Sequence, residues 1–89
     1  MARIAEVFGA VVRRRRERLG LSQEAFAARA GVHRTYVSAI ELGKVQVSIG
    51  IAYQVTAALG VPLSHVCREI ERQADLGPDA PGSDAPGSR

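Results

Sequence analysis

The stretch Ser22-Gln23-Glu24-Ala25-Phe26-Ala27-Ala28-Arg29-Ala30-Gly31-Val32-His33-Arg34-Thr35-Tyr36-Val37-Ser38-Ala39-Ile40-Glu41 decides how this chain folds. Ser22 is a good helix N-cap. Gln23 and Glu24 follow it in the first turn, where acceptors and negative charge suit the orphan N–H groups. Phe26, Ala27 and Ala30 recur at helical spacing on one face. Gly31 can take the positive φ that ends such a helix and turns the chain sharply. A second helix is predicted from about Arg34 to Glu41, with Val37 and Ile40 facing inward. Ala27 is small where two crossing helices must approach closely. A small residue, a Gly turn and then inward aliphatic residues form the pattern of a helix-turn-helix.

Outward from this core, the spacing predicts a helix from about Ile4 to Leu19, ended by Gly20, with Phe8, Val12 and Leu19 as its apolar stripe. Arg16 falls on that stripe, four residues after Val12, whereas Arg13, Arg14, Arg15 and Arg18 point elsewhere. An inward Arg needs a partner. So does Glu41, a carboxylate near the C-terminal end of its helix, where the macrodipole disfavours it. Arg16 and Glu41 are therefore expected to pair, the alternative being two independently solvated side chains. Gly43 should end the helix that begins near Arg34, and Lys44 to Val47 form a short loop. Ser48 caps a fourth helix, about Ile49 to Leu59, with Ile49, Ala52, Val55 and Leu59 on its inner face. Gly60 ends it, and Pro62 fits the first turn of a fifth.

In that fifth helix Leu63, Val66, Cys67, Ile70 and Ala74 stand at relative positions 0, 3, 4, 7 and 11, one continuous apolar stripe. Its near half can cover the domain's own core. Its far half, Ile70 and Ala74, is expected to reach past so small a core and form a dimer seam; simple core packing is the alternative. From Gly77 the composition changes to a direct repeat, Asp-Ala-Pro-Gly-Ser at residues 79–83 and again at 84–88. Residues 75–89 read as a disordered low-complexity tail, and residues 1–74 as one all-α domain of five helices.

Eighty-nine residues suffice for one small domain, which buries only a modest share of its surface, so oligomerisation would help it. The net charge of +3 hides an asymmetry: residues 1–73 hold 11 Lys/Arg against 6 Asp/Glu, while residues 74–89 hold Arg89 against three Asp. A basic body with an acidic tail fits a polyanionic partner, and equally a merely soluble basic surface. The single Cys67 allows no internal disulfide, and a reduced, cytoplasmic setting is the default. No apolar run reaches membrane-spanning length, and the first residues, with Arg3 and Glu6, lack a signal-peptide core.

Catalysis finds no support. The body contains no Asp, and His33 and His65 lie on different predicted helices without Cys partners at zinc spacing, so no metal site or cofactor is expected. Gly43-Lys44 lacks the upstream Gly and the following Ser or Thr of a phosphate loop. DNA binding is better supported, because a recognition helix presents its first turns to base edges in the major groove. Here those turns hold His33, Arg34, Thr35 and Ser38. Arg34 can bridge O6 and N7 of guanine. Thr35 can touch a thymine methyl or share a hydroxyl hydrogen bond. Ser38 reaches the same groove or faces solvent. His33 stands at the cap position, either as a phosphate or base contact or as a tolerated weak cap. The N-terminus of the preceding helix, with Gln23, is suited to hold a phosphate.

Gln23, Ala27, Gly31, Val37 and Ile40 match the helix-turn-helix of the lambda-repressor-like (xenobiotic-response-element) family. The wider run of Gly20-Leu21-Ser22-Gln23, Gly31-Val32, Arg34-Thr35-Tyr36-Val37-Ser38 and Ile40-Glu41 resembles small restriction-modification controller proteins. The resemblance covers roughly Phe8 to Val66 and implies a homodimeric regulator of transcription on double-stranded DNA with an inverted-repeat operator. By the same resemblance Tyr36, Lys44 and Gln46 are further phosphate clamps, although Tyr36 can also be an amphipathic filler between helices. Arg16 with Glu41 corresponds to a largely buried ion pair, and Leu63, Val66, Cys67 and Ile70 to a dimer interface. The alternative function is an antitoxin-type module whose fifth helix binds a toxin partner. RNA binding is weaker, for want of exposed aromatic platforms.

Overall fold

The computed structural model describes residues 2–74, with side chains from Ile4 onward; Met1 and residues 75–89, and with them the expected tail, lie outside the described residues. The described residues form five α-helices and no strand: α1 (Ala2–Arg18), α2 (Gln23–Ala30), α3 (Arg34–Glu41), α4 (Ile49–Leu59) and α5 (Leu63–Gln73). Local signals set most of the boundaries. Ser22 accepts a hydrogen bond from the Ala25 N–H, and Ser48 one from the Ile51 N–H, so each caps the helix that follows. Gly31 closes α2 at φ 75°, a left-handed conformation that an L side chain resists, and its N–H returns to the Ala27 carbonyl. Pro62 is the N-cap of α5, one position earlier than its expected place in the first turn.

The helices wrap one core. α1 packs against α3, α4 and α5, and α2 packs against α3 and α4. Phe8, Val11 and Val12 from α1 meet Phe26 and Ala27 of α2, Val37 and Ile40 of α3, Val55 and Leu59 of α4, and Val66 and Ile70 of α5 in a single buried cluster. α1 crosses α3 at Gly9. A Cβ there would fall on the carbonyl oxygen of Ile40 and 2.9 Å from that of Glu41, so the two backbones touch where only glycine fits.

Four expectations need correction. Leu19 is 48% exposed, just past the end of α1 at Arg18, although its N–H still returns to the Arg15 carbonyl; Val11, fully buried, belongs to the stripe instead. Ile49 is 77% exposed, because it is the first residue of α4 and projects beyond the edge of the bundle. Ile70 (8% exposed) and Ala74 (6%) do not reach past the core. Val66 (0%) is likewise closed within one chain, because α5 lies against the long α1, which covers most of the stripe. Of the proposed seam residues only Leu63, half-buried, and Cys67, exposed, keep accessible surface.

Candidate nucleic-acid interface

The site is built on the α2–turn–α3 unit. Buried Phe26, Ala27 and Ala30 on α2, and Val37 and Ile40 on α3, press one face of each helix into the core. This leaves the opposite face of α3 to solvent. His33 at its N-cap and Arg34 and Thr35 in its first turn are all exposed, and Ser38 is half-buried one turn further on. Tyr36 is half-buried and packs against the core, the arrangement of a filler with a free hydroxyl end. Lys44 and Gln46 are exposed beyond the C-terminal end of α3.

His33 is a working cap. Its Nδ1 accepts from the Thr35 N–H at 3.1 Å and lies 2.8 Å from the Thr35 hydroxyl oxygen. A ring nitrogen thus does what Ser, Thr or Asp does at other helix starts. At the start of α2, Gln23 and Glu24 keep backbone N–H groups with no acceptor inside the helix. Exposed Glu24 carries the wrong sign for a phosphate, so an anion there would be met chiefly by Gln23 and the backbone.

Behind this surface lies a polar brace. Arg16 Nε donates to Glu41 Oε2 at 2.7 Å and Nη2 to Oε1 at 3.1 Å, while Nη1 donates to the Leu21 carbonyl at 2.7 Å. Gln23 Nε2 donates to Glu41 Oε1 at 3.0 Å. The Arg16 and Glu41 side chains are only 10% and 3% exposed. The hydrogen bond to Glu41 holds the Arg16 guanidinium above its ordinary pKa, against the opposing effect of burial. The brace joins the end of α1, the start of α2 and the end of α3, and so fixes the N-terminus of α2 relative to the recognition helix. At the C-terminal end of α2, Gln54 Nε2 donates to the Ala30 carbonyl at 3.0 Å.

Two features had no place in the sequence reading. Glu69 of α5 receives Arg14 Nη2 at 3.0 Å and Arg15 Nε and Nη2 at 3.2 and 3.0 Å, tying α5 to α1. Burial pushes the Glu69 carboxyl up, but the hydrogen bonds and charges of Arg14 and Arg15 outweigh it and hold it below the ordinary carboxylate range. Nothing in the sequence selects Glu69 over Glu71 for this role. Gly9 did carry a signal, since glycine inside a strong helical pattern costs about 1 kcal/mol relative to alanine and asks for a packing reason.

Away from α3, an apolar groove of about 550 Å³ is lined by Ile4, Ala5 and Phe8 of α1, Val45, Gln46 and Val47 of the loop, Ile49 and Ala52 of α4, and Leu63, Cys67 and Ile70 of α5. Gln46, expected on a phosphate, lines this groove. Among the described residues no single helix is long and apolar enough to cross a membrane.

A helix-turn-helix with its recognition face bare and its two helices braced from behind is a DNA-binding unit. The helix-turn-helix family pattern matches residues 12–66, and the chain belongs to the lambda-repressor-like helix-turn-helix family of DNA-binding transcription regulators. It is 44% identical over 59 residues, 66% of this chain and 80% of the relative, to control protein C.MunI of Mycoplasma sp. It is 40% identical over 50 residues, 56% of this chain and 72% of the relative, to an uncharacterized HTH-type transcriptional regulator of Methanothermobacter thermautotrophicus. A transcriptional regulator from the ATPase CF(0) region of Rhodospirillum rubrum, also uncharacterized, is 36% identical over 64 residues, 72% of this chain and 59% of that protein.

Proposed function

We propose that this chain is a non-catalytic, homodimeric controller protein that binds an inverted-repeat operator, with restriction-modification control as its setting. The observation that carries this reading is the exposed His33-Arg34-Thr35 turn, held by the Arg16–Glu41–Gln23 brace. Arg34 is the guanine reader, with His33, Thr35 and Ser38 beside it in the major groove. Gln23, Lys44 and the Tyr36 hydroxyl lie on flanking phosphates, with Gln46 at the margin. The kinship to a control protein supports the controller setting. Residues 1–74 are then one DNA-binding and dimerisation domain, with residues 75–89 as a separate tail.

A second copy is the proposed occupant of the apolar groove. Exposed Ile49 and Cys67, with half-buried Leu63, Val45 and Val47, offer apolar surface there without a charged side chain in the lining. Two recognition helices related by a two-fold axis would enter successive major grooves, about 34–36 Å or ~10 bp apart. The test is selection of bound sequences from a random duplex pool. An inverted repeat with half-sites one helical turn apart is expected. A selected pool with no shared sequence would sink the regulator reading and favour the antitoxin-type one.

A further inference from the structure

The hydrogen bonds at the front of α3 have a direction, and that direction limits what the helix can read. His33 Nδ1 accepts from the Thr35 backbone N–H at 3.1 Å. A backbone N–H can only donate, so Nδ1 carries no proton and, in the neutral ring, the proton is on Nε2. The Thr35 hydroxyl oxygen lies 2.8 Å from the same Nδ1. Two atoms that both lack a proton would repel at that distance, so the hydroxyl points its one hydrogen at the ring. Thr35 is then left with lone pairs only, on an exposed side chain in the first turn of the recognition helix. Beside it, Arg34 and the Nε2–H of His33 can only donate.

An acceptor of this kind cannot bond a phosphate, which also only accepts. In the major groove the hydrogen-bond donors are the exocyclic amino groups, N6 of adenine and N4 of cytosine. We propose that Thr35 reads an exocyclic amino group, adenine N6 or cytosine N4, because His33 holds its hydroxyl proton; His33 acts as the positioning residue that sets this polarity. The inference rests on the operator-binding reading above and sharpens it. Arg34 reads an acceptor edge and Thr35 a donor edge, so the two residues cannot exchange roles.

The experiment starts from the duplex that the wild type selects. The base pair facing Thr35 is the one at which Thr35→Val, put through the same selection, loses its preference. Three duplexes altered at that pair are then titrated with both proteins. In the first the amino-bearing base is replaced by its amino-less analogue, purine for adenine or 2-pyrimidinone for cytosine. The second has a 7-deazapurine, which removes an acceptor, and the third has uracil for any thymine, which removes the methyl. The wild type should lose about five- to tenfold in affinity on the first, the scale of one hydrogen bond, and little on the others. Thr35→Val should not distinguish the first duplex from the parent, which also controls for weakened base pairing. His33→Ala frees the hydroxyl hydrogen to rotate, so that Thr35 can donate as well as accept; it should relax the preference and accept the inverted pair nearly as well. Equal losses for wild type and Thr35→Val on the amino-less duplex would overturn the inference, and so would a loss confined to the uracil duplex. A Thr35→Val pool identical to the wild-type pool would overturn it while leaving the operator-binding reading intact. A wild-type pool with no preferred sequence would overturn that reading and this inference with it.

Discussion

Gln23 donates its side-chain amide to Glu41 at 3.0 Å, so the residue that opens α2 is tied to the residue that closes the recognition helix. One amide N–H is engaged inward, and the other N–H and the backbone remain for an anion. A phosphate seated on the start of α2 would thus sit on the same rigid frame as the exposed first turn of α3.

That frame predicts non-additivity. Arg16→Ala leaves the Glu41 carboxylate buried with only Gln23, and Glu41→Ala leaves a buried guanidinium with only the Leu21 carbonyl. Each should cost about 3–5 kcal/mol, since one charge stays buried and uncompensated. The double variant should lose clearly less than the sum in urea unfolding. Additive losses would mean that the two residues do not act on each other.

The α1–α3 crossing predicts the effect of a single methyl. Gly9→Ala gains about 0.8–1.0 kcal/mol of helix propensity. Its Cβ nevertheless meets the Ile40 and Glu41 carbonyls, which are backbone and cannot swing aside. A net destabilisation of about 1–3 kcal/mol is expected from the overpacking, read as a lower urea midpoint. A more stable Gly9→Ala would show that the helices cross less closely.

Glu69 predicts an acid response. Its folded pKa is depressed, so the stability it contributes is complete above its unfolded value of ~4.3 and is lost as pH falls through the folded value. Wild type should therefore weaken between roughly pH 5 and the lower, folded value, and Glu69→Gln should flatten that slope. The effect is modest, because Arg14 is 41% exposed and screened by solvent. Thermal unfolding across pH 3–7 (approximately the span of the carboxylate titration) checks it. Identical slopes for the two proteins would remove Glu69 from the account.

The groove predicts where a dimer can be broken. Ile49→Asp should leave a folded monomer with weakened operator binding, because Ile49 is 77% exposed in one chain. Ile70→Asp should instead disrupt the fold, because it places a charge in the core. Sedimentation with circular dichroism separates the two. A wild type that is monomeric at tens of micromolar, roughly the range in which a weak dimer would assemble, would count against the seam.

DNA readout predicts two kinds of loss. Arg34→Ala should cost about 1–3 kcal/mol and relax preference at one guanine. Lys44→Ala should weaken all sequences alike and lower the salt slope by about one unit for each phosphate it no longer neutralises. Titrations at several salt concentrations, on the selected operator and on one with that guanine replaced, measure both. Full discrimination by Arg34→Ala would move the readout to the other residues of the turn.

The sequence by itself determined the helix-turn-helix. Ser22, Gly31 and Ser48 act on backbone groups within a few residues, and the apolar period states which face of each helix is buried. Such short-range physics needs no knowledge of the neighbours. It could also single out Arg16 and Glu41, because an inward charge is anomalous wherever it occurs. What buries a given face is another matter, and only the tertiary structure decided it. The stripe of α5 looked long enough for a second chain until α1 covered Val66 and Ile70. Ile49 keeps the helical period of α4 and still faces solvent, because the bundle ends beneath it. Glu69 found Arg14 and Arg15 more than fifty residues away. The proton between His33 and Thr35 depends on a ring and a hydroxyl meeting at 2.8 Å. Burial and hydrogen-bond direction are properties of pairs of surfaces, and a one-dimensional pattern describes only one surface at a time.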